Sequence, residues 1–478
     1  MHWVGKTSLV NILLSCLAGV VLSGAFEPVG KWWLAPIALL VHMYAIERTD
    51  RRALSAFVFA FTFNAVLLHW TSTYVGSTPW IILSFGLSLL YLPLALIGRW
   101  GIAAYPLLFV ILEEVRNRFP FGGFGWARVA YSQADAPYAA IASRGGAISL
   151  SAITVLIAGF IYFLLNRKVN LLFIVPLLAL LVPNNIAAVN QTSVLMIQGN
   201  VPELGLDFNA RAKQVFNNHL SQTRIALAEN REVDFIVWPE NAVDVDPYTN
   251  QDVYEELESF EKPLIIGAIV GKGENLRNTS ILWGDKSQDI YVKQHLTPFG
   301  EYIPLRSLAK KISPLVNQVN DFSPGNEQKI FTIGQARVAP VICFELVDDE
   351  ILAKAAKSSN LLVVQTNSAT FGTSAESAQQ LSITRIRAIE HSRNVVSVST
   401  TGISAVIDFN GKVLNQTSMG TAEHVFADVG LIEQSSPRDR YGDWAGVFTL
   451  IWLLVVARRA YALRRYVTLC KVIIEKGD

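Results

Sequence analysis

The chain has 478 residues, enough for two or three domains, yet 51% are hydrophobic and only 17% charged. Soluble globular chains carry about 25% charge, so this composition excludes a disordered or nucleic-acid-coating protein and points to a membrane. The net charge of +1 hides a division: residues 190–443 hold 22 Lys and Arg against 31 Asp and Glu, a balance of −9, and the remainder holds 18 against 8, a balance of +10.

Seven apolar stretches precede residue 190, at roughly 8–26, 31–46, 53–72, 79–97, 100–114, 147–165 and 170–187, and an eighth, 445–457, follows the acidic part. A spanning helix needs about 20 mostly apolar residues. About eight transmembrane helices are therefore expected, the last one spanning only if Trp444 and Arg458 snorkel at its ends. The first stretch, with Lys6 ahead of it and Ser23-Gly24-Ala25 behind, has the outline of a signal peptide, but six further stretches make the chain polytopic. With the N-terminus in the cytoplasm, Lys6, Arg48, Arg51, Arg52, Arg99, Arg167, Lys168 and the tail residues Arg458, Arg459, Arg464, Arg465, Lys471 and Lys476 share that side. Lys31, Arg116, Arg118, Arg128 and Arg144 oppose them, and the bias places the acidic part outside the cytoplasm. Loop 115–145 dissents with four of those arginines. It also carries Pro120-Phe121-Gly122-Gly123-Phe124-Gly125-Trp126 and follows Glu113 and Glu114, charges that are costly near the end of an apolar helix. It reads either as an interfacial aromatic belt or as a lipid- or substrate-facing element.

In the acidic part, short apolar runs alternate with helical patterns. Strands are expected at Ser193–Gln198, Asp234–Trp238, Leu264–Val270, Thr279–Trp283, Ile290–Lys293, Arg337–Cys343, Asn360–Thr366, Val395–Ser399 and Ser404–Phe409, and helices at 209–230, 346–357 and 376–393. Asn410-Gly411 signals a type I′ hairpin. Nearly unbroken apolar strands alternating with helices imply a layered α/β domain. Of three cysteines, Cys16, Cys343 and Cys470, only Cys343 lies in this part, so no internal disulfide is possible there, and no CxxC spacing suggests a metal. Gly267-x-x-x-Gly271-x-Gly273 lacks the helix and distant acid of a dinucleotide fingerprint. His295 and His391 have no partner at metal spacing. Arg385, Arg387 and Arg393 could meet a lipid phosphate or pair with Glu390 and other acids of the domain.

Three polar residues sit at the ends of expected strands: Glu240, Lys293 and Cys343. Strand ends are where an α/β domain builds its site. A thiol needs a base or a cationic neighbour to become nucleophilic. A glutamate can take the proton, and an ammonium can stabilise an oxyanion. Each residue also has a plain alternative, as a small buried hydrophobe, a cap or a solvated surface charge.

Their contexts are Val237-Trp238-Pro239-Glu240-Asn241, Lys293-Gln294-His295-Leu296-Thr297-Pro298-Phe299-Gly300-Glu301-Tyr302 and Ile342-Cys343-Phe344-Glu345. These segments resemble the nitrilase superfamily, whose αββα sandwich carries a Glu–Lys–Cys triad. Together with the flanking apolar stretches, Gln198-Gly199-Asn200 and Gly442-Asp443-Trp444, they resemble its membrane-embedded branch, the apolipoprotein N-acyltransferases. The resemblance implies a polytopic membrane domain at 1–189, a nitrilase-like catalytic domain at 190–443 and a C-terminal helix with a basic tail at 444–478. It assigns Glu240 as general base, Lys293 as stabiliser of the tetrahedral intermediate and Cys343 as nucleophile, with Glu301 and Glu345 in support. It further implies a multi-pass protein of a bacterial cell membrane, catalytic on the extracytoplasmic side, with phospholipid as acyl donor and a diacylglyceryl lipoprotein as acceptor. No cofactor, metal or nucleic acid is implied, and no oligomeric state is specified. Residues 297–304 and 371–376 are candidate lid loops. The alternatives are a membrane-anchored amidase with water as acceptor, and a non-enzymatic transporter or receptor with a degenerate sensing domain.

Overall fold

A computed structural model of the protein describes residues 2–167, 186–201, 213–271, 276–284, 289–312, 316, 320–452, 454, 455, 458 and 462. The apolar stretch 170–187 lies almost wholly outside the described residues, as do the segment 203–208 that follows Gln198-Gly199-Asn200 and nearly all of the basic tail. The described residues fall into two compact units, one within 1–72, 76–183 and 441–478, the other within 73–75 and 184–440.

The first unit is helical. Two runs, Ser77–Trp100 and Ala139–Leu165, are long and apolar enough to span a bilayer. Ser8–Ser23, Leu34–Glu47 and Arg52–Leu67 are apolar but shorter, and Tyr105–Arg118 has 14 residues. At 1.5 Å per residue, 14 residues reach about 21 Å, against a hydrocarbon core of about 30 Å. The expected eight long spans are thus two among the described residues. Glu47, Arg48, Asp50, Arg51 and Arg52 separate Leu34–Glu47 from Arg52–Leu67, where the division between stretches 31–46 and 53–72 is expected.

The charges of loop 115–145 are paired rather than facing lipid. The buried Arg116 guanidinium donates to the Tyr91 hydroxyl at 2.8 Å and lies 3.9 Å from Glu113. Glu113 accepts the Val129 N–H at 2.7 Å. Glu114 pairs with the buried Arg128 and with Arg118. Three of the four loop arginines that oppose the inside-positive bias therefore have acidic partners within the fold.

The second unit is a sandwich. Among the described residues, one sheet orders β12-β1-β2-β3-β4-β5, with β1 Asn190–Gln198, β2 Phe235–Val237, β3 Leu264–Val270, β4 Arg277–Trp283, β5 Ile290–Val292 and β12 Glu423–Leu431. The other orders β11-β10-β9-β8-β7-β6, with β6 Phe331–Ile333, β7 Ala336–Ile342, β8 Leu361–Thr366, β9 Val395–Ser399, β10 Ala405–Ile407 and β11 Val413–Gln416. The inner strands β1-β2-β3 and β7-β8-β9 run parallel. Side chains alternate faces along a strand. Val194, Met196, Val237 and Ile265 accordingly join Val338, Val363, Val396 and Val398 in a core between the sheets. Leu195, Ile197, Ile236, Trp238 and Ile266 pack outward against Phe216, Leu220, Val253 and Leu257 of helices Gln214–Leu227 and Gln251–Glu258. Helices Asp349–Ser358 and Glu376–His391 also bury apolar residues. This is the expected αββα sandwich.

The hairpin after β10 differs from expectation. Type I′ requires positive φ at both central residues, and of Asn410 and Gly411 only Gly411 takes it, at 78°. The Asp408 carboxylate accepts the N–H groups of Asn410 (2.9 Å) and Lys412 (2.8 Å), holding the loop in another form.

Candidate active site

Three strand ends converge. Beyond β2 the chain runs through Trp238 and Pro239 to Glu240, which β3 approaches closely at Gly267. A Cβ on Gly267 would lie 2.3 Å from the Pro239 carbonyl and 2.6 Å from the Glu240 Cα, so only glycine fits there. From the other sheet, the Gln365 amide donates to the Trp238 carbonyl at 2.7 Å.

Lys293 directly follows β5, its N–H bonded to the Asn278 carbonyl of β4 at 2.9 Å. The ammonium is 1% exposed. It donates to Glu240 Oε1 at 3.1 Å and to Thr297 Oγ1 at 3.2 Å, and lies 2.8 Å from Glu301 Oε2, so three neighbours match its three donors. Asn278 ties the two acids together, donating Nδ2 to Glu240 Oε1 (2.7 Å) and Glu301 Oε1 (2.6 Å). The Thr297 N–H donates to Glu301 Oε2 at 2.7 Å.

Cys343 follows β7 with φ at +49°, a region L-residues adopt rarely and at a cost. The strand turns there into the 3₁₀ segment Cys343–Val347. Glu345 holds this turn. Its Oε2 accepts the Ile342 N–H at 2.7 Å, while Oε1 accepts the Gln294 N–H at 2.6 Å and the Tyr291 hydroxyl at 2.8 Å. Glu345 therefore staples the nucleophile turn to the segment that carries Lys293. The Gln380 amide donates to Cys343 Sγ at 3.7 Å.

Electrostatics follow from burial. Burial pushes the Cys343 thiol well above the ordinary thiol range; the Glu240, Glu376 and Glu301 charges add to the shift, and Lys293 opposes it. Burial also raises Glu240, with Lys293 opposing and Glu301 adding. For Glu301 burial pushes upward, but Lys293 and Asn278 outweigh it and leave the acid below its ordinary value. Burial pulls the Lys293 ammonium down, and Glu240 and Glu301 more than reverse this, so it stays charged. A thiol this hard to ionise is no preformed thiolate. The arrangement instead suits sulfur attack coupled to proton transfer onto a carboxylate of raised basicity, with a fixed cation nearby for developing negative charge.

The structure joins Glu240, Lys293 and Glu301 directly and sets Cys343 in their field. Glu345 contacts the same segments through backbone N–H groups. The other singled-out residues lie in structural pairs. His295 bonds Asp348 at 2.8 Å, and His391 bonds Asp439 at 2.8 Å. Arg387 pairs with Glu390 and Asp349, Arg393 donates to the Ser359, Gln434 and Ala356 carbonyls, and Arg385 donates to the Gly411 carbonyl. Sequence reasoning missed Asn278, Thr297, Glu376 and Gln380. The available signals were Asn278 directly before the expected strand Thr279–Trp283, and Glu376 and Gln380 four apart at the start of a helix.

Sandwich and site together define a protein of the carbon–nitrogen hydrolase class, and residues 186–434 match that family. Residues 18–160 match the apolipoprotein N-acyltransferase N-terminal domain. The chain is 30% identical to the apolipoprotein N-acyltransferase of Mycolicibacterium smegmatis, over 89% of this chain and 80% of the relative. It is 31% identical to that of Geobacter metallireducens, over 91% and 93%, and 28% identical to that of Azotobacter vinelandii, over 96% and 97%. The chain belongs to the apolipoprotein N-acyltransferase family.

Proposed function

We propose that the protein transfers an acyl chain from a membrane phospholipid, through a thioester on Cys343, to the α-amino group of the diacylglyceryl-modified N-terminal cysteine of a lipoprotein. The observation that carries the reading is the buried Glu240–Lys293–Glu301 cluster acting on the Cys343 thiol in a chain of this family. Glu240 takes the thiol proton as sulfur attacks the ester carbonyl. Lys293 stabilises the oxyanion. The tetrahedral intermediate collapses, the carbon–oxygen bond breaks, and Glu240 returns the proton to the departing lysophospholipid oxygen. Glu301 shares the Lys293 ammonium and fixes its place, and Glu345 holds the nucleophile turn. The amine then attacks the thioester and regenerates the thiol.

Two lipid substrates explain the apolar part. In this reading residues 1–189 cross the cell membrane of a bacterium seven times, 444–478 return once to the cytoplasm, and 190–443 work outside it. Protease added to intact spheroplasts then digests 190–443, and protection of that segment contradicts the topology. The activity test supplies the purified protein with phospholipid and a synthetic diacylglyceryl-cysteinyl peptide and follows the peptide by mass spectrometry. Acylation of its amine supports the reading. Release of free fatty acid with an unmodified peptide supports the amidase-like hydrolase instead.

A further inference from the structure

Glu376 is a buried carboxylate that the chemistry above does not use. It opens helix Glu376–His391 and is 2% exposed. Other buried carboxylates are compensated: Glu113 by Arg116, Glu240 and Glu301 by Lys293, Glu390 by Arg387, and Glu345 by three backbone N–H groups and the Tyr291 hydroxyl. Glu376 has hydroxyls instead. The Ser377 hydroxyl donates to its Oε2 at 3.3 Å and the Ser368 hydroxyl lies alongside. Among the described residues it has no cationic partner, and an unpaired buried carboxylate is costly.

Its position is next to the reacting sulfur. Gln380, one helical turn on and on the same face, donates to Cys343 Sγ at 3.7 Å, and the Glu376 charge acts on that thiol. Beside it hydroxyls close tightly round a glycine. A Cβ on Gly402 would lie within 2.6–2.8 Å of the hydroxyls of Ser377, Ser399 and Ser368.

We infer that Glu376, set among hydroxyls one helical turn from the Gln380 contact to the Cys343 sulfur, is the base that receives the ammonium proton of the amine acceptor. This rests on the acyl-transfer reading above. Proton balance leaves such a group a task. In the first half-reaction Glu240 takes one proton from sulfur and returns it to the leaving oxygen, so a single base closes the cycle. The second half-reaction starts from an α-ammonium, since α-amino groups titrate near 7.7–8.0. That nitrogen loses one proton before it attacks and another as the amide forms. The first goes to Glu376. The carbon–nitrogen bond then forms, the second proton goes to Glu240, the carbon–sulfur bond breaks, and Glu240 returns that proton to the Cys343 sulfur. Thioester plus ammonium gives amide, thiol and one proton, which Glu376 passes to solvent. Burial pushes Glu376 up to about 7, which brings it close to the amine it deprotonates. The titratable groups that share its surroundings are Glu240 and Cys343, with Lys293 and Glu301 acting on the same thiol.

The test uses the full-length acyl-enzyme, formed with phospholipid, freed of donor and mixed with the synthetic diacylglyceryl-cysteinyl peptide in single-turnover experiments between pH 6.5 and 9.5. At pH 7, E376Q should transfer about 6- to 11-fold more slowly than wild type, because only that fraction of an amine of pKa 7.7–8.0 is already uncharged. The deficit should close above the amine's own pKa. The E376Q thioester should react with hydroxylamine, which arrives uncharged, as fast as the wild-type thioester does, and E376D should recover part of the rate. Transfer by E376Q at the wild-type rate at pH 7 overturns the inference. So does a deficit that is equal at pH 9.5 and toward hydroxylamine, or one confined to thioester formation. Absence of any thioester in wild type overturns the acyl-transfer reading and this inference with it.

Discussion

The two units bury charge in opposite ways. In the helical unit the cluster of Glu113, Glu114 and Asp443 with Arg116, Arg118 and Arg128 sets three acids against three bases, and contacts among them join acid to base. In the sandwich, Glu240, Glu301 and Glu376 gather around a single cation, Lys293, and a thiol. The first arrangement makes charge tolerable where water is scarce. The second leaves negative charge in excess. Burial first, and that excess charge after it, pushes the Cys343 thiol, Glu240 and Glu376 upward, which raises the capacity of the two acids to accept protons. A balanced cluster holds structure, and an unbalanced one is poised for proton chemistry.

The contrast breaks most completely at the sulfur. C343S should lower peptide acylation by at least about 10⁴-fold, on the scale seen when a nucleophile acting within a unit is removed; turnover near the wild-type rate would remove Cys343 from its role. Next, E240Q keeps the size of the side chain but not the base, and should lower thioester formation by about 10²–10⁴-fold, read by burst kinetics with phospholipid. In the helical unit, R128M leaves Glu114 short of a partner. Breaking a buried pair costs about 3–5 kcal/mol, so the loss should appear as a lower thermal midpoint of the detergent-solubilised protein, while C343S stays near wild type in the same measurement.

The smallest expected effect is one of pH. Glu376 and Glu345 are both raised to about 7 by burial. A carboxyl raised in the folded state binds protons that the unfolded chain has released. Its stabilising contribution is therefore complete below the unfolded pKa of about 4.3 and is lost as pH climbs through 7. A shift of this size is worth about 3 kcal/mol per group. Between pH 5 and 8 the wild type should lose thermal stability faster than E376Q. Parallel curves would show that Glu376 is ionised throughout.

Much of the sandwich was legible because its inner strands are apolar on both faces. Leu264–Val270 and Leu361–Thr366 read as strands for that reason, and Glu240, Lys293 and Cys343 stood out as the polar residues ending such runs. Strand β12 escaped because it lies at the sheet edge with one neighbour, β1, and mixes Glu423, His424, Asp428 and Gly430 into a half-exposed face. Helix Gln251–Glu258 is short, and its acidic face hides Val253 and Leu257. The apolar stretches showed where apolar helices lie but not their lengths: Ser8–Ser23, Leu34–Glu47 and Arg52–Leu67 are shorter than a full span. Asn278 and Glu376 were invisible as site residues because their importance comes from neighbours 23 to 136 positions away, which only the folded chain brings together.

The most direct measurement incubates the protein with phospholipid and no acceptor, then maps its proteolytic peptides by mass spectrometry. A fatty-acyl adduct on the peptide containing Cys343, present in wild type, absent in C343S and discharged by the diacylglyceryl-cysteinyl peptide, is the result expected here. An unmodified Cys343 beside a lipidated product would contradict the account.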